Sequence, residues 1–343
     1  MFKKVTIIGD PQLPSKYIYE VIKMLESYGL SFACHDWLID TSLEEFTNIV
    51  LDIERGFINK YPLPENIIED IITSEILIVH YAPVPREVIE KSKRLKIICS
   101  TRGGVDNIDI ECAKKREILI LRALGRNANA VADLTMGFII TLNRQILYHH
   151  LSIKKGFWPA LAPEELPHDL SDLVLGLVGF GQVAREVAKR AKAFGMTILG
   201  YDPYVESKEF NNVGVIKYDL EGLLKNSDFV SLHARLTPET RNLIGEKELR
   251  LMKKTAYLIN TSRGELVSEP ALVKALSEGW IAGAGLDVFT EEPLPPNHPF
   301  LKLDNVLLTP HIAGFTWEGQ VLNGPKIILQ QLKELLEKSK ETH

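Results

Sequence analysis

The sequence predicts an α/β protein of two domains, each built on a parallel sheet, and three observations predict it. Short apolar runs alternate with segments of helical period along most of the chain. Residues 173–202 hold, in order, a strand, a glycine turn, a helix, a second strand and an acid. At 343 residues the chain is long for one core and suits two.

The run 173–178 passes into Gly179-Phe180-Gly181-Gln182-Val183-Ala184. Behind it Ala184, Val187, Ala188, Ala191 and Phe194 recur with helical spacing, Gly195 can end the helix, and a second run at 196–199 leads to Asp202. Gly179 permits the tight turn, Gly181 lets the backbone approach a pyrophosphate, and the small Ala184 lets helix and strand pack closely. The helix N-terminus presents unpaired N–H groups and the positive end of its dipole to the phosphates. Asp202 is placed to accept hydrogen bonds from the adenosine ribose, and its charge repels a 2′-phosphate, so NAD is favoured over NADP. Ordinary strand-to-helix packing is the bland alternative, but it gives no reason for the acid.

A net charge of -5 and a pI near 6.0 give no general attraction to nucleic acid or anionic lipid. Cys34, Cys99 and Cys112 form no CxxC pair and lie in or beside apolar segments, so buried, reduced thiols and no metal site are expected. The run 5–8 is too brief for a signal-peptide core, and no stretch approaches the ~18 apolar residues of a membrane span. A soluble, cytoplasmic protein without nucleic-acid or membrane partners is expected.

In chain order, residues 5–9 read as a strand and 15–27 as a helix stopped by Gly29. Residues 76–79 and 95–99 are buried strands with a helix at 85–92 between them, and 118–121 is another strand. Residues 35–70 carry little pattern and read as mostly helical. The result is a smaller, flavodoxin-like α/β domain. Within it, Arg102-Gly103-Gly104-Val105-Asp106-Asn107-Ile108-Asp109 follows a strand. The glycine N–H groups could bind a small carboxylate; a plain turn into a helix capped by Asp106 or Asp109 fits equally well.

Residues 128–149 read as one long helix, apolar nearly all round, as a buried connector between domains would be. Residues 156–167 are rich in aromatics and proline but weakly periodic, which suits an arm packing on another subunit or an interdomain loop. Strands at 229–232, 256–260, 283–288 and 306–309 follow, separated by helices such as 246–253 and 271–278. With the two strands of the glycine unit these make six, a doubly wound sheet of Rossmann type with ligand at the carboxyl ends. Those ends carry His233, Thr261-Ser262-Arg263-Gly264, Asp287 with Glu291-Glu292, and His311. An amphipathic helix at 325–339 is expected to return to the first domain, giving a division into 1–127 with 314–343, and 128–313.

The glycine pair with Val105-Asp106-Asn107-Ile108-Asp109, the 179–181 turn, Asn260-Thr261-Ser262-Arg263-Gly264, Asp287-Val288-Phe289 with Glu292-Pro293, and Thr309-Pro310-His311-Ile312-Ala313-Gly314 together resemble the D-isomer-specific 2-hydroxyacid dehydrogenase family. The match runs over nearly the whole chain in order and spacing. It implies an NAD-dependent oxidoreductase that moves a hydride between nicotinamide and C2 of a small D-2-hydroxy or 2-keto acid. The family's catalytic trio falls on Arg263, Glu292 and His311. His311 would take and return the hydroxyl proton, Glu292 would favour and orient its imidazolium, and Arg263 would bind the substrate carboxylate and polarise the C2 oxygen. By the same likeness Gly103 and Gly104 hold the carboxylate, Asn127 lies beside the substrate, and Asp287 binds the nicotinamide carboxamide. Gln182 and Val183 lie against the pyrophosphate, and His233, Thr261, Ser262, His311, Ala313 and Gly314 belong to the cofactor site. A homodimer is also expected, whether residues 156–167 serve as its arm or only as an interdomain loop.

Three departures stand out. Ala184 replaces the commoner third glycine; Arg235, where many members have proline, adds a cation near the cofactor crevice; and Arg102 precedes the glycine pair, where it is expected to address an additional anionic group on the substrate. No appended regulatory domain, as in some phosphoglycerate dehydrogenases, is expected. Formate oxidation is disfavoured, since that branch pairs its histidine with glutamine. The alternative of another class is an NAD(H)-responsive binding or corepressor-like module with little turnover, which an intact trio does not exclude.

Overall fold

The computed structural model describes residues 2–163 and 166–341, and the chain divides into two compact units. One unit runs through Asn127 and resumes at Phe315; the other is Ala128–Gly314.

The first unit holds five strands: β1 Lys4–Gly9, β2 Ser31–Asp36, β3 Ile76–Val79, β4 Ile97–Ser100 and β5 Leu119–Arg122. All pair in parallel in the order β2-β1-β3-β4-β5, the flavodoxin pattern. β3 and β4 are buried at every position, which is why they read as unbroken apolar runs. β2 was not legible because Ser-Phe-Ala-Cys-His-Asp is an edge strand with neither continuous nor alternating hydrophobicity. Its Cys34 is exposed, contrary to the expectation of three buried thiols; Cys99 and Cys112 are buried. The helix Ser15–Ile22 tightens into a 3-10 turn over Lys23–Tyr28 and stops at Gly29, at φ 81°. Residues 35–70, which read as mostly helical, contain the helix Leu43–Glu54 and most of the helix Glu65–Thr73. The helix Asn323–Glu341 begins from a π turn at Glu318–Leu322, and its Ile328, Leu332 and Leu336 share one core with Val5, Ile7, Ile18 and Ile22.

The second unit carries β6 Val174–Val178, β7 Thr197–Tyr201, β8 Ile216–Lys217, β9 Phe229–Leu232, β10 Tyr257–Asn260, β11 Gly283–Leu286 and β12 Val306–Leu308. Their order, β12-β11-β10-β9-β6-β7-β8, reverses direction between β6 and β9, the switch point of a doubly wound sheet. The fold class is the one the sequence predicts, with seven strands here instead of six because β8 is two exposed residues, too short to show a period. Apolar cores cover the two faces of the sheet.

The single helix expected over 128–149 is two, Ala128–Asn143 and Ile146–Lys154, parted where Gln145 takes φ 47°. The first buries Val131, Met136, Phe138 and Ile139; the second leaves Ile146, Leu147, Tyr148, Leu151 and Ile153 exposed. An all-round apolar pattern does not distinguish side chains buried in the fold from those left on its surface. Among the described residues no helix is long and apolar enough to cross a membrane, and no cluster of His, Cys, Asp or Glu is placed to hold a metal ion.

Candidate active site

The glycine turn is dictated by packing. Gly179 has φ 88°, and a Cβ there would fall 2.5 Å from the Ala234 backbone nitrogen, so no other residue fits. Phe180 N–H donates to Asp202 Oδ2 at 2.9 Å and Tyr204 N–H to Oδ1 at 2.9 Å. Asp202 therefore ties the turn to the end of β7, and its oxygens keep lone pairs for a ribose. A Cβ at Gly181 would meet nothing within 4 Å, so the approach to the first turn of the helix Gln182–Ala193 is open. There the N–H groups of Gln182 and Val183 have no intrahelical acceptor. Ala184 is fully buried, as close helix packing requires.

At the end of β9, His233 Nε2 lies 2.9 Å from Ser231 Oγ while Nδ1 is buried without a partner. Burial pushes the ring's pKa down to about 3 and keeps it neutral. An open first turn, an acid at the next strand and an orphaned buried nitrogen at the switch point fit a dinucleotide. Arg235 is exposed and makes no ion pair among the described residues.

The loop after β10 is fixed from within. Asn260 Nδ2 donates to the Arg263 carbonyl at 2.8 Å and Ser262 N–H donates to Asn260 Oδ1 at 3.1 Å. Ser262 Oγ donates to the Leu232 carbonyl at 2.7 Å, and Thr261 Oγ1 lies 3.2 Å from Thr135 Oγ1. Arg263 is held at its backbone while its exposed guanidinium donates, among the described residues, to the Ser262 carbonyl at 2.6 Å.

Asp287, after β11, is wholly buried and accepts from Thr309 Oγ1 at 2.5 Å and from the N–H groups of Ile312 and Ala313, each at 2.8 Å. Both oxygens are thus engaged in shaping the 309–313 loop, a task prior to the carboxamide contact that the resemblance implies. The loop holds His311 at φ 54° with its N–H on the Asp287 carbonyl at 2.8 Å. His311 Nδ1 lies 2.7 Å from Glu292 Oε2, and Glu292 Oε1 accepts from Phe289 N–H at 3.0 Å. The hydrogen bond to Glu292 raises the His311 pKa against the opposing effect of burial. Burial alone would raise Glu292, but the His311 and Phe289 hydrogen bonds and the nearby Arg263 charge lower it on balance. With Nδ1 bound to Glu292, Nε2 is the ring atom left to exchange a proton.

In the first unit, Arg122 Nε donates to the Gly103 carbonyl at 2.7 Å and Ser100 Oγ to the Gly104 carbonyl at 3.0 Å. The glycine N–H groups have no protein acceptor among the described residues. Asp109, not Asp106, caps the helix Ile110–Lys115, accepting from Cys112 N–H at 2.8 Å. Asn127 closes this stretch of the unit, half-buried. Arg102 is not the free cation expected: it is 7% exposed, and its Nη2 donates to Glu54 Oε1 at 2.9 Å. Arg122 and Glu54 hold these loops in shape without having been singled out by sequence, whereas Asn260 and Thr309 stood in the family motifs with no role given to them. For Asn260 a signal existed, an amide directly ending a buried strand.

A doubly wound parallel sheet with this glycine turn and a following acid defines a dinucleotide-binding oxidoreductase fold. Within that class, the chain belongs to the D-isomer specific 2-hydroxyacid dehydrogenase family, whose NAD binding domain matches residues 136–313. The D-3-phosphoglycerate dehydrogenase of Methanocaldococcus jannaschii is 42% identical over 79% of this chain, which spans only 52% of that protein. The hydroxypyruvate reductase of Thermotoga maritima is 38% identical over 85% of this chain and 95% of its own. In the crystal structure of the NAD complex of a D-isomer specific 2-hydroxyacid dehydrogenase from Lactobacillus delbrueckii ssp. bulgaricus, 98% of each chain superposes with a TM-score of 0.78 at 25% identity. By family the chain is an NAD-dependent dehydrogenase, and nothing in these likenesses favours the binding-module alternative.

Proposed function

We propose that the chain reduces a small 2-keto acid to the D-2-hydroxy acid, or the reverse, with His311 as the proton donor and acceptor. The observation that carries this reading is the 2.7 Å contact of His311 Nδ1 with Glu292, which raises the imidazole pKa and leaves Nε2 as the ring atom able to exchange a proton. Bound NAD supplies or accepts the hydride at C2. Gly181, Gln182 and Val183 would hold its pyrophosphate and Asp202 its ribose, with His233, Thr261, Ser262, Asp287, Ala313 and Gly314 toward the nicotinamide.

In the reducing direction His311 gives its Nε2 proton to the C2 oxygen as that oxygen gains charge, and Glu292 stabilises the imidazolium beforehand. Arg263, whose charge cannot be titrated away, binds the substrate carboxylate and polarises the C2 oxygen. By the family likeness the N–H groups of Gly103 and Gly104 would take a substrate carboxylate, with Asn127 beside it. A set of 2-keto acids assayed with NADH and NADPH tests the reading. Reduction with a preference for NADH supports it, and Asp202→Ala should narrow that preference. No turnover of any 2-keto acid would sink it.

The protein acts in the cytoplasm as a homodimer in this reading. Ile146, Leu147, Tyr148, Leu151 and Ile153 lie exposed near Phe157 and Trp158, the latter 82% exposed. An apolar surface of that extent suits a second copy. Sedimentation of Trp158→Glu should then show monomer; an unchanged mass would count against the dimer.

A further inference from the structure

The turn that carries Glu292 lies on the surface. Phe289 is buried, but Thr290, Glu291 and Glu292 are exposed, so apolar packing does not hold the carboxylate on His311. The peptide between Phe289 and Thr290 is pinned instead. A Cβ on Gly264 would overlap the Phe289 carbonyl and the Thr290 nitrogen, so this peptide lies directly against the Gly264 backbone, next to Arg263. Thr290 N–H then donates to Glu269 Oε1 at 2.6 Å, across 21 positions. A planar peptide held in both ways loses ψ of Phe289 and φ of Thr290, the two rotations that would swing the segment beyond it. Glu292 belongs to that segment, two residues on.

Glu269 is itself well held. It is the first residue of the helix Glu269–Ser277, where the positive end of the helix dipole favours a carboxylate. Its Oε2 lies 3.5 Å from His298 Nε2. Phe300 N–H donates to His298 Nδ1 at 3.3 Å, so the hydrogen of the neutral ring sits on Nε2 and faces Glu269. Phe300 is buried in the core of the sheet, which fixes the histidine. The Glu269 and His298 side chains are 17% and 16% exposed, so this pair is more shielded from water than Glu292, at 36%.

From the pinned peptide the contacts run on to the proton. Phe289 N–H donates to Glu292 Oε1 at 3.0 Å, and Glu292 Oε2 lies 2.7 Å from His311 Nδ1. That last hydrogen bond is the main cause raising the His311 pKa against burial; the Asp287 charge adds to the rise and the Arg263 charge opposes it. Asp287 and the Arg263 backbone are fixed by hydrogen bonds within their own loops. The Glu292 contact is therefore the one that a loosened turn would weaken.

We propose that Glu269 is a positioning residue for the reaction: its carboxylate, steadied by His298, pins the Phe289–Thr290 peptide on Gly264 and so keeps Glu292 on His311. This rests on the dehydrogenase reading above, in which His311 exchanges the proton. The test is the pH profile of kcat/KM with NADH, for whichever of glyoxylate, pyruvate and hydroxypyruvate wild type reduces best. It compares wild type, Glu269→Met, Glu269→Gln, Glu292→Gln and the double variant of Glu269→Met with Glu292→Gln.

Glu269→Met keeps the stem but offers Thr290 no acceptor. Its alkaline limb should move toward acid by roughly half to one pH unit, the equivalent of one weakened hydrogen bond, with KM for NADH within about twofold of wild type. Glu269→Gln retains a carbonyl for Thr290 N–H and should restore the wild-type limb. Because Glu269 acts through Glu292, adding Glu269→Met to Glu292→Gln should move the limb no further. A role in stability alone would lower the amount of folded enzyme and leave the limb in place. An unmoved limb in Glu269→Met, a limb displaced as far in Glu269→Gln, or additive shifts in the double variant would overturn the inference. If Glu269→Met does not fold, Glu269→Asp, whose acceptor is one methylene short, should move the limb in the same direction, and an unmoved limb there overturns the inference too. Failure of wild type to reduce any of the three acids, or near-wild-type turnover in His311→Ala, removes the dehydrogenase reading and this inference with it. A limb that moves in Glu292→Gln but not in Glu269→Met removes the inference only.

Discussion

Two histidines at strand ends of one sheet have opposite electrostatics. His233, after β9, is half-buried with Nδ1 shut from solvent, and has a single hydrogen bond to Ser231 and a pKa pushed down to about 3. His311, after β12, is half-exposed, bound to the Glu292 carboxylate and raised. His80, in the other unit, separates the two causes: it has a carboxylate partner yet is lowered, because its burial is complete. A carboxylate thus wins over desolvation only where water still reaches the ring. That condition suits a group that must exchange a proton, and a dry neutral ring suits one that must not.

The contrast breaks most decisively at His311. His311→Ala should lower kcat by roughly 10²–10⁴-fold, while His233→Ala should act mainly on KM for NADH; comparable kcat losses would erase the distinction. Next in size is Glu292→Gln, which removes the carboxylate that raises His311. Reduction needs the imidazolium, so the alkaline limb of kcat/KM should move toward acid, with NADH affinity nearly unchanged. Superimposable profiles would show that Glu292 does not tune His311.

Stability against pH sharpens the comparison further. The His233 ring stays neutral while the unfolded chain protonates, so its contribution is intact above about pH 6.5 and is lost as pH falls toward 3, by up to about 1.4 kcal/mol per pH unit. His311 has the opposite sign, its contribution being present below about pH 6.5 and lost as pH rises through its raised folded pKa. Urea unfolding at pH 6.5 and 4.5 should show a smaller drop in His233→Phe than in wild type, and equal drops would refute the assignment. The smallest effect expected is that of Ser231→Ala, a loss of about 1 kcal/mol with the hydrogen bond to His233, visible as a lower Tm.

The glycine unit was legible because backbone geometry leaves no choice at Gly179 and because β6 and β7 are apolar runs. The trio was legible only through family likeness: a lone histidine carries no local signal, and His311 meets Glu292 nineteen residues away through a loop that Asp287 shapes. What was not legible depended on distant partners or exposed backbone. Glu54, which neutralises Arg102, lies 48 residues earlier in the chain. The helix break at Gln145 has no glycine or proline to announce it, and β2 and β8 lie at sheet edges where hydrophobic pattern fades.

The helix that ends the described chain also sets a timetable. Its Ile328 and Leu332 complete a core begun by Val5 and Ile7, and Arg126 hydrogen-bonds Gln320 across 194 positions. On a ribosome adding about 5–20 residues per second, the first sheet waits roughly 10–40 s for that cover. The unit Ala128–Gly314 is contiguous and can close its own core meanwhile. Synthesis therefore delivers the whole middle unit before the segment that completes the core of the first.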